Sequence, residues 1–225
     1  MVRFRTMSLL CLFFLISTSL AQNIQVSGAH RPNNYEAVMN RGKTMRLHPS
    51  ILPLTINPGE GHHRETVEQA IAEWNEVGVG TLFEITEDKA DLVIDWTGAK
   101  VSPGAEAETR IARSPRLVVP LSLSVKNKNK NNTRLRRALL HELGHVLGLG
   151  HSANQRDIMY LTEQNSFFGL SERDKSMLGW LYSQKRYSPI VGLSDLERLN
   201  IKPPPQSVAD EATSVCAHCA KQLKK

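Results

Sequence analysis

"HELGHVLGLGH", residues 141–151, decides how the rest of this sequence is read. His141 and His145 are i and i+4, so on a helix they stand one above the other on a single face. Two imidazoles so placed can share one metal ion, and neutral imidazole suits zinc. Glu142 is one residue along, close enough to reach a metal-bound water without being a ligand. A straight helix would carry His151 away from that ion. Gly148 removes the conflict, because glycine adopts the left-handed conformation that ends a helix and turns the chain. Leu149 and Gly150 then bring His151 back as a third ligand. Three histidines leave the fourth position of a tetrahedral zinc open, the arrangement of a catalytic rather than a structural site. Leu139, Leu143, Val146 and Leu147 fall on the opposite face, where burial would fix the orientation of the ligands.

Working outward, "RLRRALLHELGHVLG" reads as one helix with Thr133 at its cap, after an asparagine- and lysine-rich loop over 126–132. "LSERDKSMLGWLYS" predicts a further helix, with Ser171 at the cap, acids in the first turn, and Met177, Leu178 and Leu181 as its apolar stripe. Upstream, "RETVEQAIAEWNEVG" places Val67, Ala70, Ile71 and Trp74 at helical spacing, and Gly78 ends it. "ILPLTINPGEG" reads as a short strand ending in a turn, and "TLFEITE" and "ADLVIDWTG" alternate as half-buried strands do. "AEAETRIA" and "RLVVPLSLSV" add two more, and Pro120 places an edge or a bulge in the second. The pattern dissolves from about Lys185, and "KPPPQS" marks a tail. The expected division is 1–21 signal peptide, 22–45 extended lead-in, 46–184 catalytic domain and 185–225 flexible tail.

The N-terminus carries Arg3 and Arg5, then an apolar run from about Met7 to Leu20 with small residues at Ser19 and Ala21. That run is shorter than the ~20 residues of a spanning helix, so a cleaved secretory signal is expected and no membrane anchor. Cys11 leaves with it, and only Cys216 and Cys219 remain, in "CAHC". No disulfide can then staple the core. The tail cysteines admit half of a zinc knuckle, a local disulfide, free thiols, or a thiolate that reaches back to cap the catalytic zinc. The formal charge of +6 sits largely in "KNKNKNN" and the terminal "KQLKK". No aromatic residues interleave with these lysines, so no base-stacking platform and no nucleic-acid partner is expected. Asn131-Asn132-Thr133 is a glycosylation sequon.

"HELGHVLGLGH" resembles the H-E-x-x-H-x-x-G-x-x-H signature of the metzincin metallopeptidases at every required position. Met159 in "HSANQRDIMY" stands where those enzymes have a methionine turn beneath the zinc. Ser152 after the third histidine, with "IMY", is similar to the matrixins, the matrix-metalloproteinase-like family, although Leu161 stands where that family often has proline. The resemblance covers about residues 46 to 184, through "PLTI", "AIAEWNEV", "ADLVIDW" and "LSERDKSMLGWLY". It implies an α+β zincin fold. A twisted mixed sheet of about five strands would have an antiparallel edge strand, with two long helices, one of them zinc-binding, and a short C-terminal helix. It also implies one catalytic Zn2+ held by His141, His145 and His151, Glu142 as general base, and a packing role for Met159. Residues 64 to 140 contain no histidine, so no second, structural zinc is expected. A calcium site at Glu106 and Glu108 lacks a supporting ligand loop.

The function so implied is a secreted, monomeric zinc endopeptidase whose protein substrates lie extended along the edge strand at about Ala105 to Ile111. Residues beyond Met159, including Phe167 and Phe168, would line a pocket for the side chain after the scissile bond, or serve as core under a loop. A catalytically silent relative that binds zinc and extended peptides is the alternative, and retention of Glu142 argues against it. A basic binding module built on 126–137 and the tail is a third reading.

Overall fold

Residues 35–47 show no sustained period in the sequence, yet they form three strands: β1 (Tyr35–Ala37), β2 (Met39–Asn40) and β3 (Lys43–Leu47). Their burial explains why. Tyr35, Met45 and Leu47 are almost completely enclosed, so the lead-in is a layer of the core rather than a leash. The computed structural model describes residues 29–60, 63–126, 131–161, 169–198, 200–201 and 213–214. The N-terminal segment 1–21, Phe167, Phe168, Cys216 and Cys219 lie outside the described residues.

Alternation then builds the sheet as expected. Leu54 and Ile56 point inward from β4 (Leu54–Asn57), and Leu92 and Ile94 from β6 (Leu92–Asp95), with β5 (Phe83–Ile85) between them in sequence. α1 (Arg64–Asn75) buries Val67, Ala70, Ile71 and Trp74, the four positions its period selects. β4 pairs in parallel with both β5 and β6, and β6 pairs in parallel with β8 (Val118–Val125). β7 (Ala107–Arg113) lies antiparallel along the other side of β8. The five strands β5-β4-β6-β8-β7 are the mixed sheet with an antiparallel edge. The register of β7 on β8 skips Leu121, beside Pro120, where a residue without an amide donor was expected to force a bulge.

α2 (Asn132–Val146) carries the histidine motif, β9 (Leu149–Ser152) follows it, and α3 (Glu172–Ser183) closes the site. Thr133 is not the cap of α2. Asn131 takes that role, its side-chain oxygen accepting from the Arg134 amide at 2.9 Å, as a short Asx side chain does most readily. Ser171 caps α3, and Asp174 completes a reciprocal capping box. α3 has 12 residues, the same length as α1.

The chain does not become a loose tail at Lys185. β10 (Tyr187–Ile190) pairs in parallel with β3 and meets β8 at Val118, and α4 (Leu193–Arg198) follows. β10 thereby joins β2 and β3 to the five-stranded sheet. Ile190, Val191 and Leu196 are buried, and buried Asp91 accepts from the Ser194 amide at 3.1 Å and from its hydroxyl. These apolar residues are too few and too interrupted by Pro189 and Gly192 to show a period. β11 (Thr213–Ser214) lies antiparallel against β7, with Thr213 opposite Ile111 and Ser214 opposite Arg110.

Candidate metal centre

Everything that positions the three histidines follows from how α2 ends. Leu147 is the last residue in helical backbone, and Gly148 follows at φ +98°. A side chain at Gly148 would also overlap the Met45 carbonyl oxygen of β3, so both conformation and space demand glycine there. The turn delivers β9 against β1, Tyr35 opposite Ser152 and Ala37 opposite Leu149. His151 sits on that strand. One ligand atom from each of His141, His145 and His151 then lies within 4.8 Å of the other two.

Two of the three rings are held from behind. His141 Nδ1 donates to the Ile158 carbonyl at 2.9 Å, and His145 Nδ1 donates to the Leu149 carbonyl at 2.8 Å. With Nδ1 so used, Nε2 is the nitrogen left to bind, and His145 Nε2 is buried without a hydrogen-bond partner. A buried ring nitrogen without a donor is costly, and a metal ion satisfies it. Burial lowers both imidazoles to a pKa of about 3, with the neighbouring histidines adding to the effect, so both rings are neutral, the form that ligates. Three imidazoles, two of them with carbonyl-bound Nδ1 groups, are a donor set that fits zinc.

Glu142 is almost fully enclosed at 3% exposure, and its Oε2 has no hydrogen-bond partner. Burial raises its carboxyl to about 7, against the lowering effect of Thr109, with Glu108 adding to the rise. Thr109 Oγ1 also donates to the Glu142 carbonyl at 3.2 Å, which ties α2 to β7 at this point. Met159 is fully buried beneath the motif, where Gly144 lacks the side chain that would collide with the Met159 sulfur and with Trp74. Its carbonyl accepts from the Ser152 amide at 2.9 Å, tying the methionine turn to the strand of the third histidine.

Several residues with no place in the motif hold this turn. Asp174 Oδ2 accepts from the Ile158 amide at 2.8 Å, and Asp174 Oδ1 accepts from the Tyr35 hydroxyl at 2.5 Å. Burial pushes the Asp174 carboxyl above its ordinary range despite these donors. Asp157, also buried, accepts from Ser152 Oγ at 2.5 Å, Ser171 Oγ at 2.8 Å and Arg173 Nε at 3.0 Å. The capping box "SERD" is a sequence signal for Asp174 at α3, but none pairs it with Tyr35 across 139 positions. Glu108 is occupied by the Ser102 amide at 2.7 Å and stands 3.7 Å from Arg110.

A cavity of about 1220 Å³ opens at two of the three histidines, with His145, His151, Tyr160, Glu36 and Arg113 in its lining. The model of the matrixin family matches residues 121–183, from within β8 through α3. Over that stretch the chain is similar to the matrixins. Among curated proteins, it is similar to stromelysin-1 of Rattus norvegicus, 30% identical over 139 residues, and to stromelysin-1 of Mus musculus, 29% identical over the same length. Each alignment takes in 56% of this chain and 29% of the relative, so the chain spans under a third of their length. A solved structure of myroilysin aligns at 14% identity with a TM-score of 0.43, over 71% of this chain and 93% of that one.

Proposed function

We propose that this chain is a zinc-dependent endopeptidase acting on extended protein segments. The observation that carries the reading is the convergence of three histidine ligand atoms within 4.8 Å. Two of those histidines line a cavity that also reaches Arg113 of the edge strand β7, and Glu142 is buried on the helix that carries His141 and His145. Zinc bound by His141, His145 and His151 would polarise the scissile carbonyl and acidify water at the site. Glu142 would accept the proton of the attacking water and pass it to the departing amine, and a carboxyl raised by burial to about 7 suits both directions of transfer. The carbonyls of Ile158 and Leu149 keep two ligand rings in a fixed tautomer and plane. β7 supplies the track. Its outer edge already accepts an antiparallel segment at Arg110 and Ile111, the way a peptide strand adds to a sheet.

Arg3, Arg5 and the apolar run that follows support export with removal of residues 1–21, leaving a monomeric enzyme outside the reducing cytosol. Among the described residues no helix is long and apolar enough to cross a membrane.

The test is cleavage of a quenched casein or gelatin substrate, with and without chelator, beside Glu142→Ala, with zinc content measured on both proteins. Activity lost to chelator and lowered at least roughly a hundredfold by the substitution, with zinc retained by the variant, is the expected result. Zinc bound without cleavage would favour a silent peptide-binding relative, and no zinc bound would overturn the reading.

A further inference from the structure

Arg113 is the last residue of β7 and lines the cavity that also contains His145 and His151. Successive strand residues alternate sides, so Arg113 shares a face with Thr109, whose hydroxyl meets the Glu142 carbonyl. The side chain is half-buried, and its Nε is enclosed without a hydrogen-bond partner. Loss of hydration alone depresses its guanidinium. Other charges nearby do not account for it. Arg31 also lines the cavity, but it donates to the Tyr35 carbonyl at 3.0–3.1 Å and lies over Trp180. Among the described residues Glu36 is the one carboxylate of the lining, and no ion pair joins it to Arg113. A half-buried guanidinium facing a binding cavity, with no carboxylate partner among the described residues, is an incomplete pair.

The register of β11 says which part of a bound peptide completes it. An antiparallel strand on β7 sets one residue opposite Arg110, as Ser214 is, and the preceding residue opposite Ile111, as Thr213 is. Continued by the same rule, the residue opposite Arg113 is the third before the one opposite Arg110. The Thr109 hydroxyl meets the Glu142 main-chain carbonyl at 3.2 Å, so with the residues opposite Thr109 and Arg110 taken to flank the scissile bond, that residue precedes the bond by three or four positions. The chain's own sequence carries Glu211 at that offset from Ser214, with Asp210 beside it.

We propose that Arg113 forms a subsite for an acidic side chain, so that the preferred substrates carry Asp or Glu three to four residues before the bond cleaved. This rests on β7 being the peptide track in the proposed endopeptidase. A half-buried guanidinium and a carboxylate form paired, charge-assisted hydrogen bonds, whereas glutamine at the same place leaves the charge unmatched.

The experiment uses the full zinc-loaded chain and peptides of residues 207–217 with Glu, Gln or Lys at the position of Glu211, Asp210 being replaced by Asn in all three. Binding to the Glu142→Ala protein is measured by fluorescence anisotropy, and kcat/KM on the wild-type protein. The Glu peptide should bind roughly tenfold tighter than the Gln peptide and be preferred by a similar factor in cleavage. Arg113→Glu should reverse the order in favour of Lys, a ratio taken within one protein and so independent of any general loss. Equal affinity for the three peptides, or a Glu preference that survives Arg113→Glu, overturns the subsite. A binding preference in the expected order without cleavage by the wild-type chain leaves the subsite standing and removes the peptidase reading instead.

Discussion

At the scale of single residues, the site is built on two glycines inside the motif. Gly148 combines φ +98° with a Cβ position already occupied by the Met45 carbonyl oxygen. Replacing it by alanine strains the backbone and displaces β3 together, so Gly148→Ala should destabilise the fold by about 2–4 kcal/mol. Chemical denaturation of the apo proteins measures this directly, and a difference below about 1 kcal/mol would mean that the turn is not held against β3. Gly144 is different in kind: what it avoids is the flexible Met159 side chain, which can partly yield. Gly148 was legible in the sequence because its reason is local, namely a third histidine that must return. The reason for Gly144 was not, because Trp74 lies 70 positions earlier and nothing in "HELGH" announces it.

At the scale of elements, α3 grips the methionine turn as well as packing on the core. Asp174 is at once part of the N-terminal capping box, the acceptor for the Ile158 amide, and the partner of Tyr35 on β1. The Ile158 carbonyl in turn receives His141 Nδ1. Asp174→Ala strands several buried donors, each worth about 1–3 kcal/mol. A loss of about 3–5 kcal/mol in stability is therefore expected, with zinc affinity lowered roughly tenfold or more because the support of His141 loosens. Tyr35→Phe removes one donor and should cost about 1 kcal/mol, with zinc affinity nearly unchanged. Competition with a chromophoric chelator reads the affinities, and equal zinc binding by wild type and Asp174→Ala would break the link from α3 to the ligand. The helix α3 and its Ser171 cap were evident from the sequence, since both lie within a few residues. β1 was not: its three residues gain their stability from β9, more than 100 positions away, and so short a strand shows no usable period.

At the scale of the whole molecule, the segments on either side of residue 201 have opposite consequences. β10 and α4 close the sheet, with Ile190, Val191 and Leu196 buried and Asp91 receiving Ser194. β11 crosses the edge that the proposed substrate would use, at residues adjoining the Thr109 link to Glu142. Two truncations separate these roles. Ending the chain at Gln184 exposes the β3 and β8 edges and empties part of the core, so the protein should unfold or lose upwards of about 10 °C in melting temperature. Ending it at Ile201 leaves every one of those contacts in place and should change melting by only a few degrees. The shorter chain should also cleave an extended peptide roughly three- to tenfold faster, because a tethered strand held by main-chain pairing competes at high effective concentration. If the protein ending at Ile201 is as stable as the full chain but no faster, at peptide concentrations well below KM, the pairing of β11 is too weak to obstruct the edge. The cysteines of "CAHC" are then also irrelevant to latency, since the truncation removes both. A gain in rate would leave one further step: Cys216→Ser and Cys219→Ser together in the full chain reproduce the gain if a thiolate on the zinc holds the tail, and leave the rate low if strand pairing alone does.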